Sequence, residues 1–242
     1  MKSIREALTK YTELLTRYGI ECPRLEVEIL LAYAINQDRV YLFAHQDEII
    51  SGESLNILCE ASMRRTKREP LAYIIGHKEF YGLDLTVTPE VMIPRPETEL
   101  LVDEALNLCL GASDSPNLVV AEPGTGSGAI SIALAKQLDN VRIYSSDISE
   151  GALSIAEVNV SKFNVEDKVT LLKGNLLSAL PEPPDLIVSN LPYIPSRRIP
   201  FLQPEIDWEP TLALDGGEDG LDLIRHLIHV ARHIETLRDI IL

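Results

Sequence analysis

Apolar side chains in the first 70 residues recur at helical rather than strand spacing. Ile4, Ala7, Leu8, Tyr11, Leu14, Leu15 and Tyr18 share one stripe of a 3.6-residue period. Ser3 and Glu6 stand at capping-box spacing, where the serine hydroxyl takes an orphan N–H of the first turn and the glutamate returns to the serine N–H. Gly19 suits the end of that helix and Pro23 the start of the next, whose apolar face continues through Leu25, Ile29, Leu30 and Ala34. A third helix is expected over about 53–67, stopping before Pro70 because the residue ahead of a proline avoids the helical region. Residues 1–70 therefore predict a small helical domain with Tyr11 and Tyr18 in its core. His45 and His77 have no second ligand at metal spacing and are assigned structural roles.

The period then changes. Tyr73, Ile74 and Ile75, followed by Phe80, Leu83, Leu85 and Val87 with Gly76 and Gly82 between them, predict a β-hairpin linker over 71–88. From 89 to 242, short apolar runs alternate with helical patterns. A strand over 118–121 runs into Glu122-Pro123-Gly124-Thr125-Gly126-Ser127-Gly128 and then into the helical spacing of Ile130, Ala133 and Leu134. A second strand over 142–146 ends at Asp147, a helix follows over 150–160, and further strands cover 169–172 and 186–189. Parallel neighbours cannot be joined by tight turns, so strands separated by helices imply an α/β fold with a doubly wound, mostly parallel sheet. The fourth strand should lie between the first and one that follows a helix over 221–231. Only 238–242 remain to supply that neighbour, which predicts an exposed apolar edge beside the fourth strand and a weakened sheet.

Charge narrows the function. Lys and Arg number 22 against 37 Asp and Glu, a formal net charge of −15, which repels phosphate backbones and argues against extended nucleic-acid binding. The one basic cluster, Arg64, Arg65, Lys67 and Arg68, reads as a solvated helix end. Cys22, Cys59 and Cys109 form neither a CxxC pair nor a disulfide framework, which suits a reducing compartment. No apolar run approaches the ~18–20 residues of a membrane span, and the amino terminus lacks a signal-peptide core, so a cytoplasmic protein is expected.

The glycine turn after the first strand lets backbone approach a ligand closely, but dinucleotides, methyl donors and phosphates all use such turns. Asp147, at the end of the second strand, can accept hydrogen bonds from both hydroxyls of a ribose, which points to a nucleoside. Ser189-Asn190-Leu191-Pro192-Tyr193 at the end of the fourth strand is more specific. A polar amide, two residues and an aromatic suit methylation of a planar NH₂ group, whose nitrogen lone pair is delocalised and weakly nucleophilic. If Asn190 Oδ1 and the Leu191 carbonyl accept its two N–H bonds, the lone pair is directed at the incoming methyl. Tyr193 can cover the planar group, and no metal is needed.

These motifs, with Lys78-Glu79-Phe80-Tyr81-Gly82, Ile93-Pro94-Arg95-Pro96-Glu97-Thr98-Glu99 and Glu209-Pro210 through Gly216-Gly217-Glu218-Asp219-Gly220-Leu221, occur in the order typical of the HemK/PrmC family. The chain resembles that family over about residues 70–230, and the IPRPETE stretch is the most family-specific part. The resemblance implies a class I, Rossmann-like methyltransferase domain behind a helical substrate-recognition domain. It also implies S-adenosylmethionine as methyl donor and, as substrate, the N5 of the glutamine in the Gly-Gly-Gln motif of class 1 peptide chain release factors. By position, Glu122, Pro123, Gly124, Thr125 and Gly126 would line the donor's methionine portion, Asp147 would hold its ribose, and Asn175 and Leu176 would border the adenine. Asn190, Leu191, Pro192 and Tyr193 would grip the glutamine, with Asn190 also beside the donor. Arg95 and Glu97 would order a loop over the pocket or form an ion-paired helix start.

The chain departs from the family pattern at Glu122 (usually Asp), Asn175 (usually acidic) and Leu191 (usually Pro). A main-chain carbonyl survives a side-chain change, so restoring proline at 191 is expected to be neutral or mildly favourable. Relatives also continue beyond the last helix into further strands. Two rival readings stand beside the main one. An N6-adenine nucleic-acid methyltransferase shares the donor turn and the Asn-x-Pro-Tyr chemistry, and an inactive truncated relative would only bind a partner.

Overall fold

In the computed structural model, which describes residues 2–111 and 118–242, the capping box at Ser3 forms in both directions. Ser3 Oγ accepts the Glu6 N–H at 3.2 Å and the Glu6 carboxylate accepts the Ser3 N–H at 3.0 Å. Helix α1 (Ile4–Arg17) follows, then α2 (Pro23–Ile35), α3 (Arg39–Ala44), α4 (Gly52–Thr66) and α5 (Leu71–Ile75), with two-residue strands β1 (Lys2–Ser3) and β2 (Ile49–Ile50) paired antiparallel. They make one compact unit, Met1–Gly76, around Leu8, Leu15, Leu30, Leu31, Leu42 and Leu58. Tyr11 belongs to this core. Tyr18 does not: it caps α1 beyond the last packed turn and is 53% exposed.

The basic cluster is also not the solvated helix end expected from sequence. Arg64 forks onto the Glu69 carboxylate at 2.9 and 2.5 Å, and buried Arg65 reaches Glu26 at 2.5 and 3.2 Å. Two of its four cations are thus committed to carboxylates of the unit, and Arg65, being buried, must be paired. Tyr73, Ile74 and Ile75, expected in the hairpin, form α5 instead, because Pro70 starts a turn of helix and Gly76, at φ +82°, ends it in the left-handed region.

The second unit, His77–Leu242, begins with the hairpin of β3 (His77–Phe80) and β4 (Leu83–Thr86). Tyr81 and Gly82 both have positive φ (+52° and +73°), the conformation that matches a two-residue turn to strand twist. Then come α6 (Glu99–Gly111), β5 (Leu118–Pro123), α7 (Ala129–Gln137), β6 (Val141–Asp147), α8 (Glu150–Phe163), β7 (Val169–Lys173), β8 (Leu186–Val188), α9 (Asp222–Ala231) and β9 (Asp239–Ile241). The five strands β5 to β9 make one parallel sheet in the order β7-β6-β5-β8-β9. Val120, Leu186 and Val188 pack with Val102 and Ala105 of α6 and Leu134 of α7. Their strand neighbours Ala121 and Ile187 pack with Leu227 and Ala231 of α9. Successive strand residues face opposite ways, so both faces of the sheet are covered, as parallel strands require. Among the described residues no helix is long and apolar enough to cross a membrane.

β8 has the neighbour that 238–242 were expected not to supply, and the open edge of the sheet lies one strand further out, at β9. β9 pairs Leu186 with Asp239, Ile187 with Ile240 and Val188 with Ile241, and the Ser189 N–H reaches the Ile241 carbonyl at 3.0 Å. Three residues suffice because β8 itself is only three residues long.

The hairpin, α8 and the glycine turn meet at one buried side chain. Asn159 Oδ1 accepts the Thr86 N–H at 2.7 Å, while its Nδ2 donates to the carbonyls of Thr86 and Ser127, both at 2.9 Å. Asn159→Ala removes the partner of three backbone groups, one buried and two part-buried, and should destabilise the protein by about 2–4 kcal/mol. A shift in denaturant midpoint much smaller than that, at unchanged slope, would show that the asparagine is not the tie the geometry describes.

Candidate active site

Order along the sheet reverses at β5: the chain moves outward through β6 and β7, then returns to β8 and β9 on the other side. Open parallel sheets bind ligands in the crevice beyond the carboxyl ends of the two strands at such a point. The two loops leaving β5 and β8 there are Glu122–Gly128 and Ser189–Tyr193, and Ser189 Oγ ties them by donating to the Pro123 carbonyl. A cavity of about 270 Å³ opens over them. Glu122, Gly124, Thr125, Gly126, Asp147, Asn175, Leu176, Asn190, Leu191 and Pro192 all line it. Of the residues expected at the site, Pro123 lies buried beneath and Tyr193 stands 60% exposed outside the lining.

On one side, Gly124 and Gly126 take φ +76° and +56°, and the Gly124 and Thr125 N–H groups bond the Ser146 carbonyl. Asp147 Oδ2 accepts the Gly126 N–H and Oδ1 the Ser149 N–H, both at 2.9 Å, so each oxygen keeps a lone pair for a ligand. Leu176 sits at φ +50°, a conformation unusual for a branched side chain, held by Ser146 Oγ on its carbonyl at 2.6 Å. Glu122, 2% exposed, gathers Thr125 Oγ1 at 2.7 Å and both the N–H and hydroxyl of Ser131 on its Oε2. Burial pushes its carboxyl up to about 7, against the lowering pull of these bonds and with a further rise from the Asp147 charge.

On the other side, Asn190 Nδ2 donates to Thr98 Oγ1 at 3.1 Å. The Leu191 carbonyl accepts no main-chain hydrogen bond among the described residues. The Leu191 side chain is buried with Ala121, Leu176 and Ile187, and a Cβ at Gly124 would stand 3.2 Å from its Cδ2. Leu191 is therefore a packing residue of the glycine turn, and Leu191→Pro should lose burial instead of being neutral. The glycines of Gly216-Gly217-Glu218-Asp219-Gly220 also acquire a reason. A Cβ at Gly216 would lie 2.7 Å from the Pro192 carbonyl oxygen, and one at Gly220 2.3 Å from that of Tyr193.

The IPRPETE stretch forms one wall of the cavity through Pro94 and Thr98, continued upstream by Glu90, Val91 and Met92. Arg95 pairs with Glu209, whose other oxygen accepts the Ile93 N–H at 3.2 Å. Arg95 thus orders the loop, while Glu97 is exposed and has no side-chain partner among the described residues. Thr98, buried and bonded to Asn190, is the site residue that sequence reasoning passed over. Its only signal was its place in the motif, because 92 residues separate the two partners.

Residues 6–76 match the family model of the PrmC N-terminal domain, and residues 100–199 that of the methyltransferase small domain. The chain is 43% identical over 231 residues to a release factor glutamine methyltransferase of Geobacter sulfurreducens, covering 95% of this chain and 79% of that protein. A protein of the same name from Moorella thermoacetica is 41% identical, over 93% of this chain and 79% of its own length. Among solved structures, the hMettl16 catalytic domain in complex with a MAT2A 3'UTR hairpin superposes with a TM-score of 0.54 at 16% identity. That match covers 76% of this chain and 64% of the other, and it is a likeness of fold.

The Glu122 carboxyl makes stability depend on pH. With its value raised from 4.5 to about 7, the folded state binds the proton more tightly than the unfolded state. The stability this group contributes is full below 4.5 and is lost as pH rises through about 7. At about 1.4 kcal/mol per pH unit the swing is on the order of 3 kcal/mol. Glu122→Gln should remove that slope from melting curves taken between pH 5 and 8, and an unchanged slope in the variant would sink the assignment.

Proposed function

This chain belongs to the release factor glutamine methyltransferase family, and we propose that its second unit carries a methyl group from S-adenosylmethionine to a release-factor glutamine. The acceptor atom in this reading is the N5 of the glutamine in the Gly-Gly-Gln motif of class 1 release factors. One observation supports it above the others: Asn190 and Leu191 line the same cavity as the glycine turn and Asp147.

The residues fit the donor. Gly124 and Gly126 leave backbone open for the methionine portion, and Asp147 has spare acceptor capacity for two ribose hydroxyls. Leu176 and Asn175 form an edge for the adenine. Carboxylates at Asp147 and Glu90 give the lining a negative character that suits a cationic ligand. The donor supplies an electrophilic methyl on a sulfonium sulfur. Asn190 Oδ1 and the Leu191 carbonyl would accept the two amide N–H bonds of the glutamine and aim its lone pair. Pro192 would wall the planar amide, and Tyr193, whose ring is exposed in this chain, would close over it and exclude water. The N-terminal unit would recognise the body of the release factor.

Adenine N6 methylation is the less favoured reading, because the net charge of −15 opposes a nucleic-acid backbone. The binding-only reading has against it a donor turn and an acceptor loop that both line one cavity. Transfer from labelled donor to purified release factor, with the modified residue located by mass spectrometry, tests the proposal. Label on DNA or RNA and none on release factor would reverse the ranking.

Two substitutions separate binding from chemistry. Asp147→Ala removes two charge-assisted ribose bonds, each worth roughly 1.5–3 kcal/mol gross, and should weaken donor binding at least tenfold by calorimetry. Wild-type affinity in that variant is the result that defeats the ribose assignment. Asn190→Ala should hold donor affinity within a few-fold while turnover falls by about 100-fold or more, the scale of losing one preorganised contact to the reacting group. Surviving turnover means the amide is not gripped this way.

A further inference from the structure

We propose that Thr98 is a positioning residue for methyl transfer: its hydroxyl accepts the Asn190 Nδ2–H bond and so fixes the plane and position of the amide whose Oδ1 meets the acceptor. This rests on the reading of Asn190 given above. A side-chain amide carries an acceptor on one side and two donors on the other, with nearly the same shape. A half turn about its last torsion would set N–H against the N–H groups of the substrate, and the acceptor nitrogen would lose its orientation. That torsion is broad and intrinsically two-fold, so the side chain does not choose by itself. Among the described residues, the Thr98 hydroxyl, at 3.1 Å from Nδ2, is the only side-chain partner of the Asn190 amide. With a substrate N–H on Oδ1, the hydroxyl can serve this contact only as acceptor.

The surrounding bonds keep Thr98 in place. Upstream, Glu209 clamps the loop twice, at the Arg95 guanidinium and at the Ile93 N–H. The Thr98 N–H bonds the Arg95 carbonyl at 3.0 Å. Downstream, Glu99 Oε1 accepts the Tyr81 N–H at 2.9 Å and fixes the next residue to the hairpin. Thr98 itself is 8% exposed and lines the cavity, so water competes little for its hydroxyl. IPRPETE is in this view a frame built to present one hydroxyl to one amide.

The test is kinetic, on the full chain with release factor as substrate, comparing Thr98→Val, Thr98→Ser and Asn190→Ala. Valine keeps the shape and removes the acceptor. It should lower kcat by about tenfold or more, as a small misplacement of a reacting group does, with donor affinity and melting temperature close to wild type. Thr98→Ser, which retains the hydroxyl, should recover most of kcat. Wild-type kcat in Thr98→Val beside a collapsed Asn190→Ala overturns the positioning role and leaves the acceptor reading standing. Full turnover in Asn190→Ala overturns both. Loss of kcat in Thr98→Val together with failed serine rescue or weakened donor binding marks a merely structural threonine and also overturns the proposal.

Discussion

The pairing of β5 with β8 is the constraint from which the site follows. Two parallel strands end at the same level, so their loops must emerge side by side, one rich in glycine and one carrying Asn190. A bond from Ser189 Oγ to the Pro123 carbonyl and the packing of Leu191 on Gly124 then hold the loops in contact. Were β8 on the outer side of β7, the same motifs would lie about two strand spacings further apart, roughly 10 Å. No single cavity could then hold a donor and an acceptor within reaction distance.

The site accepts buried charge and neutralises it locally. Glu209 is almost wholly enclosed, and it is tolerable because Arg95 and the Ile93 N–H occupy its two oxygens. That arrangement joins two walls of the cavity, the loop leading to Thr98 and the segment that continues into Pro210 and Leu212. Glu122 is handled differently. Three donors converge on one oxygen, no cation accompanies them, and the carboxyl responds by holding its proton to about 7. The Glu122 side chain reaches Ser131 on α7 and links the turn to the helix that follows it.

Close approach of backbone to backbone is the other recurring device. Gly216 and Gly220 stand where a side chain would strike the carbonyls of Pro192 and Tyr193. The acceptor loop is therefore supported from behind by main chain, while its front faces the cavity. Leu176, held at positive φ by Ser146, does the corresponding service on the donor side, at some local strain.

Much of this was legible in the chain itself. Periodicity located α1, α2, α4, α7, α8, α9 and the strands β3 to β8, because burial of one face imposes 3.6 or 2 on the pattern, but it passed over α3 and α6 and read α5 as part of the hairpin. The glycine turn, Asp147 and Asn190 stood out in short contiguous motifs, and crossover helices dictated parallel strands. What stayed hidden depended on partners distant in sequence. Thr98 and Asn190, Arg95 and Glu209, and Asn159 and Thr86 meet only once the sheet has formed. Leu191 could not be read as a core residue from a tetrapeptide, nor Arg64 and Arg65 as partners of Glu69 and Glu26 from a run of cations. Residues 238–242 looked too few to supply a neighbour for the fourth strand until β8 proved only three residues long. Local sequence determines which conformations and chemistries are available, since those depend on neighbours along the chain. Which side chain satisfies which buried donor or charge is decided by the fold, because desolvation penalises every group left alone and only tertiary packing brings the distant partner within reach.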